Sequence, residues 1–81
     1  MGRVLAISER QVPVSGQADY RSTLAARRNA AKQLGIAFWV FAHTSDSERF
    51  IEFSEGADEA SVARATDYEP APSVWRELGV D

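Results

Sequence analysis

The run Ile36-Ala-Phe-Trp-Val-Phe-Ala-His43 carries large apolar side chains on both faces once it is extended. Ile36, Phe38, Val40 and Ala42 fall on one side, and Ala37, Trp39 and Phe41 on the other. Successive strand residues point to opposite faces, so a strand with one wet face alternates between apolar and polar. This one does not, and it reads as a central strand of a sheet covered on both sides. The rest of the chain must supply those covers, and the whole chain has 81 residues. A domain of that size hides only about 60% of its extended-chain surface. The 44% apolar fraction also includes 13 Ala, which leaves 23 larger apolar side chains. A partner surface is therefore expected to complete the burial.

The flanking segments define the remaining elements. Val4 to Val14 is mostly apolar and β-branched, and Pro13 suggests that the strand ends there or runs along an edge. Ser15-Gly16 signals a turn. Ala18 to Leu34 is rich in Ala, Arg, Lys, Gln and Leu and reads as a helix closed by Gly35. At about 100° per residue, Tyr20, Leu24, Ala31 and Leu34 form one apolar stripe, with Arg27 inside it. Arg21, Arg28 and Lys32 lie together on the flank of that stripe. Thr44 to Glu48 is a polar hairpin loop, and Arg49 to Ser54 a strand with Ile51 and Phe53 on one face, Phe50 and Glu52 on the other. Asp58 is the expected N-cap of a short helix running to about Thr66. In the tail beyond Tyr68, Val74 to Leu78 suits either one or two helical turns or a short strand.

The order β-α-β-β-α is the α+β, ferredoxin-like, split β-α-β plan: an antiparallel sheet with two helices on one face. Residues 1–81 are expected to form a single domain, with a core over about 3–66 and a tail over 67–81. Both helices are used on one face, yet the central strand is apolar on both. The expectation is therefore a homodimer that forms through the uncovered face, with Ala37, Trp39 and Phe41, or the alternate set Ile36, Phe38, Val40 and Ala42, in its core.

Composition narrows the chemistry. The chain has no Cys, which removes a disulfide framework and thiolate chemistry. With one His besides, no metal site and no cofactor are expected. The N-terminus lacks a signal-like apolar run, and the stretch Gly35 to Ala42 is far short of the roughly 20 residues that span a membrane. A soluble, cytoplasmic protein without a membrane partner is expected. The net charge of −3 argues against nucleic acid. Its distribution is uneven. Residues 18–34 carry a local +3, and residues 44–69 a local −6. The simpler reading pairs these two segments; the other makes the helix an electropositive, ligand-facing element.

The Ala/Arg helix, then Gly35-Ile-Ala-Phe-Trp-Val-Phe, a polar hairpin, and Arg49-Phe-Ile-Glu-Phe-Ser-Glu together resemble the dimeric α+β barrel superfamily. The small antibiotic-biosynthesis-monooxygenase-like proteins are the nearest group within it. The resemblance covers about residues 3–66 and rests on element order and hydrophobic pattern. It implies a homodimer with a pocket between helices and sheet that holds a small apolar ligand. For the catalytic members it implies cofactor-independent oxygenation of an aromatic or polyketide-like substrate; others bind haem, and many have no known activity. It also implies a fourth strand after the second helix, which only Val74 to Val80 can supply.

Four residues are candidates for a site. His43 is the one side chain whose ordinary pKa lies near neutrality, so it is the candidate general base or axial ligand, weighed against a solvated or hydrogen-bonded structural residue at a strand end. Trp39 can stack on a flat ligand, or lie in core or interface. Tyr20 can aim its hydroxyl into a pocket, or cap the edge of the core. Arg27, a guanidinium inside an apolar stripe, must snorkel, pair with an acid such as Glu52, or bind a ligand anion. The ligand-binding set is thus Tyr20, Arg27 and Trp39, with His43 the catalytic candidate. No phosphate-cradling glycine loop is present.

Overall fold

The computed structural model describes residues 2–67 and 71–80. The elements are β1 (Val4–Gln11), α1 (Gln17–Gln33), β2 (Ala37–Ala42), β3 (Arg49–Gly56), α2 (Glu59–Ala65) and β4 (Ser73–Arg76). A single turn of 3-10 helix, Val14–Gly16, leads into α1. The four strands form one antiparallel sheet in the order β2-β3-β1-β4. This is the ferredoxin-like α+β arrangement, and residues 73–76 take the strand rather than the helical option. The segment 68–70 of the expected tail lies outside the described residues.

Local chemistry fixes the element ends. Gly35 adopts φ 74°, open to glycine at no steric cost. Ile36 N–H donates to the Ala31 carbonyl at 2.8 Å and Gly35 N–H to that of Lys32 at 3.1 Å. That pair of bonds is a Schellman closure of α1, and it turns the chain straight into β2. At α2 the Asp58 carboxylate accepts from Ser61 N–H at 2.8 Å, the expected N-cap. The β2–β3 hairpin is pinned from outside by Gln17, whose amide donates to the carbonyls of Ser47 at 2.8 Å and Val12 at 3.1 Å.

Both helices lie on one face of the sheet. The side chains beneath them are Val4, Ala6 and Ser8 of β1, Phe38 and Val40 of β2, and Glu52 and Ser54 of β3. Val4, Ala6, Ala31, Ile36 and Val62 make the buried apolar core, with Phe38 and Ala65 packed against it. It is a small core, as the Ala count implied.

One expectation is corrected. The two-faced strand β2 sits at the edge of the sheet, not at its centre, and β3 and β1 are the inner strands. Hydrophobicity on both faces reports what covers a strand above and below; it carries no information about lateral neighbours. The inner strands carry the small Ser8 and Ser54 on their helix side, and they tolerate Glu52 there because Arg10, Tyr20 and Arg27 meet it. Leu34, placed in the apolar stripe by periodicity, is exposed at the C-cap, where the helix has already run off the sheet.

Gly56 marks the tightest approach of helix to sheet. A Cβ built there would lie 2.6 Å from Ile36 Cδ1 and 2.8 Å from Val62 Cγ2, two core side chains. Gly56→Ala is therefore expected to destabilise the fold by about 1–3 kcal/mol through overpacking. Removing the α2 cap with Asp58→Ala is expected to cost about 1 kcal/mol. Urea unfolding monitored by circular dichroism measures both.

Candidate functional site

The sheet face under α1 is organised by one carboxylate. Glu52, on the helix side of β3, is 2% exposed. Its Oε2 accepts from the Tyr20 hydroxyl at 2.7 Å and from Arg10 Nε at 3.1 Å. Arg27 Nη1 donates to both of its oxygens, at 3.0 and 3.3 Å. The cluster joins α1 to β3 and β3 to β1. Tyr20 and Arg27 reach it because they stand on the same stripe of α1 as Leu24 and Ala31, facing the sheet. A buried carboxylate needs that many charged and polar donors to offset its lost hydration.

Arg27 thus takes the ion-pair option with Glu52. Burial is the largest factor that raises the Tyr20 phenol above its ordinary value near 10, followed by its hydrogen bond to Glu52 and by that residue's charge. The Tyr20 ring packs at 5.1 Å, tilted by 54°, on Phe50.

Beside this cluster, between α1 and the edge of β2, runs an open groove of about 830 Å³. Leu24, Phe38 and Val40 form its apolar base, and Trp39 and Phe41 continue it around the strand edge. Its helix side carries Arg21, Arg28 and Lys32. A smaller hollow of about 180 Å³ shares Arg21, Leu24 and Val40 with it and reaches Tyr20. Neither lining contains a carboxylate or an imidazole.

The four candidates therefore part company. Tyr20 and Trp39 border connected hollows, although Tyr20 spends its proton on Glu52. Arg27 lines neither hollow. His43 lies at the loop end of the hairpin, where it lines a third hollow of about 140 Å³ that shares Ala42 and Phe50 with the smaller one but includes neither Tyr20 nor Trp39. Its Nδ1 accepts from the backbone N–H of Ser45 at 3.1 Å and of Asp46 at 3.0 Å. Those bonds assign the ring proton to Nε2 and make His43 a brace of the hairpin loop. Leu24, Phe38 and Val40 were not singled out for a site by sequence, since apolar residues under a helix look the same whether they pack a core or floor a groove. Among the described residues no group of three or more His, Asp or Glu side chains is placed to hold a metal ion. No helix is long and apolar enough to cross a membrane.

Fold and site together define a small α+β protein of ferredoxin-like plan with a groove between its first helix and the sheet. The chain shares its fold with the crystal structure of a candidate antibiotic biosynthesis monooxygenase of Bordetella bronchiseptica. That match has a TM-score of 0.66 over 99% of both chains, at 14% sequence identity. The fold is thus the one implied by the resemblance to the antibiotic-biosynthesis-monooxygenase-like group. No protein-family model matches the sequence, and no curated protein matches it significantly.

Two measurements test the cluster. Glu52→Ala leaves two guanidinium groups facing a desolvated gap and is expected to cost about 3–5 kcal/mol, with Glu52→Gln milder. The raised Tyr20 pKa means that the folded state holds the phenol proton more tightly than the unfolded state does. The stability this contributes is complete below pH of about 10 and is lost as pH climbs toward the folded value. The stability gap between the wild-type chain and Tyr20→Phe should accordingly narrow above that pH, as read from thermal midpoints.

Proposed function

We propose that this chain is a homodimeric α+β barrel protein that binds a small apolar ligand between α1 and the sheet. The observation that carries the dimer is the sheet face opposite the helices. The strand registers place Ile7, Trp39, Phe41, Ile51, Phe53 and Trp75 on that one side. Phe41 and Phe53 meet edge-on at 5.6 Å, while Trp39, Phe41 and Trp75 remain 43%, 55% and 59% exposed. A continuous aromatic surface of this kind marks an interface, because leaving it in water forgoes about 25 cal/mol for each Å² of apolar area. The shared fold with the Bordetella structure supports the same reading.

The ligand reading rests on the groove beside α1, whose apolar base and volume fall within the range of small-molecule clefts, about 300–1,000 Å³. Without a carboxylate or imidazole in that lining, and with His43 at the loop end of the hairpin, a binding role is favoured over an oxygenating enzyme.

Light scattering at several concentrations tests the dimer. The wild-type chain is expected to have twice the monomer mass at micromolar concentration. Phe41→Glu, which buries a charge in the proposed interface, is expected to run as a folded monomer. A wild-type monomer would overturn the reading.

A further inference from the structure

The unpaired positive charge along the same groove says more about what it holds. Among the described residues, Arg3, Arg10, Arg27, Arg49 and Arg76 each hold a carboxylate. Arg21, Arg28, Lys32 and Arg64 hold none, and the first three line the groove. They stand at i, i+7 and i+11 on α1, one stripe about 16 Å long at 1.5 Å per residue. The described acids of the segment that sequence set against them form no ion pair with these three: Glu52 is taken by Arg10 and Arg27, Glu55 by Arg3, and Glu59 by Arg76. Like charges spaced along one helix face repel one another and gain nothing in the free chain. Beneath them lie Leu24, Phe38 and Val40, with the Trp39 ring at the strand edge.

We infer that the groove binds an amphipathic organic anion, a flat or elongated apolar body bearing a carboxylate, sulfonate or phosphate. The inference rests on the ligand reading above and specifies its chemistry. The apolar body lies on Phe38 and Val40 against Leu24, where burial of hydrocarbon supplies the affinity. The anionic group projects toward solvent between Arg28 and Lys32 or beside Arg21. A guanidinium there offers a planar pair of donors to a carboxylate or sulfonate, and Lys32 a mobile point charge. Because these cations are exposed, each adds a modest amount, and their role is to choose among apolar ligands by charge.

Calorimetric titration of the wild-type protein with three naphthalene probes of equal body tests this. The probes are 1-naphthalenesulfonate, neutral 1-naphthol and the cationic 1-naphthylmethylammonium. The sulfonate is expected to bind about tenfold more tightly than naphthol at low salt, and the cation more weakly than either. Raising the salt should close that gap. The double variant Arg28→Gln/Lys32→Gln, at exposed positions that Gln suits as a helix former, should remove the sulfonate's advantage and leave naphthol binding unchanged. The charge-conserving pair Arg28→Lys/Lys32→Arg should retain it. Equal binding of sulfonate and naphthol would overturn the charge inference and leave the apolar-ligand reading standing. A sulfonate preference that survives the double variant would place the anion elsewhere and also overturn it. If none of the three probes binds, the groove holds no such ligand and both readings fall.

Discussion

The buried carboxylate of Glu52 is the interaction on which the rest of the molecule depends. It sits where an apolar residue would be expected, on the helix face of an inner strand, and the core around it is too small to absorb an error. Tyr20 and Arg27 from α1 and Arg10 from β1 converge on it, so three elements are registered by one group. A small apolar core built on Ala and Val is non-directional and would allow α1 to slide along the sheet. Hydrogen bonds at fixed angles to one carboxylate do not. The cost of burying the charge is offset only while all the donors are present, so the cluster favours a single helix position over neighbouring ones.

The position of α1 in turn creates the groove. The helix packs chiefly against β2, its Tyr20–Arg27 stripe reaches Glu52 on β3, and its outer flank borders the groove at the β2 edge. Arg21, Arg28 and Lys32 occupy that flank, while Arg27 on the inner stripe is already committed to Glu52. The same geometry leaves the opposite sheet face without a helix, since both helices lie on one side. Groove and bare face are thus two consequences of one economy: a short chain with two helices can close only part of its surface.

Much of this was legible in the sequence. The element order, the Gly35 closure and the Asp58 cap follow from rules that operate over a few residues or within one helical or strand period; for Arg27, the sequence offered the Glu52 pair as one of three options. The lateral order of the strands was not legible, and β2 was misplaced at the centre for that reason. Its two-faced apolarity has two sources at an edge position: α1 and the core on one side, and the bare aromatic surface on the other. For His43, a hydrogen-bonded structural role at the strand end was one of the readings, but its partners lay beyond sequence, because its Nδ1 bonds depend on the path of a loop.

By itself, then, the sequence determined the local structures and which residues each would turn toward the core, because period, capping and turn chemistry are local. It also supplied only 23 apolar side chains larger than Ala, the basis for expecting a partner surface. Only the tertiary structure decided which cations would find acids and which would be left over. Charge pairing depends on distances between elements far apart in the chain, and a surplus of acids in one segment says nothing about whether they reach the bases of another. That separation, between Arg27 paired on the inner stripe and Arg21, Arg28 and Lys32 unpaired on the groove flank, is set by about a third of a turn of α1.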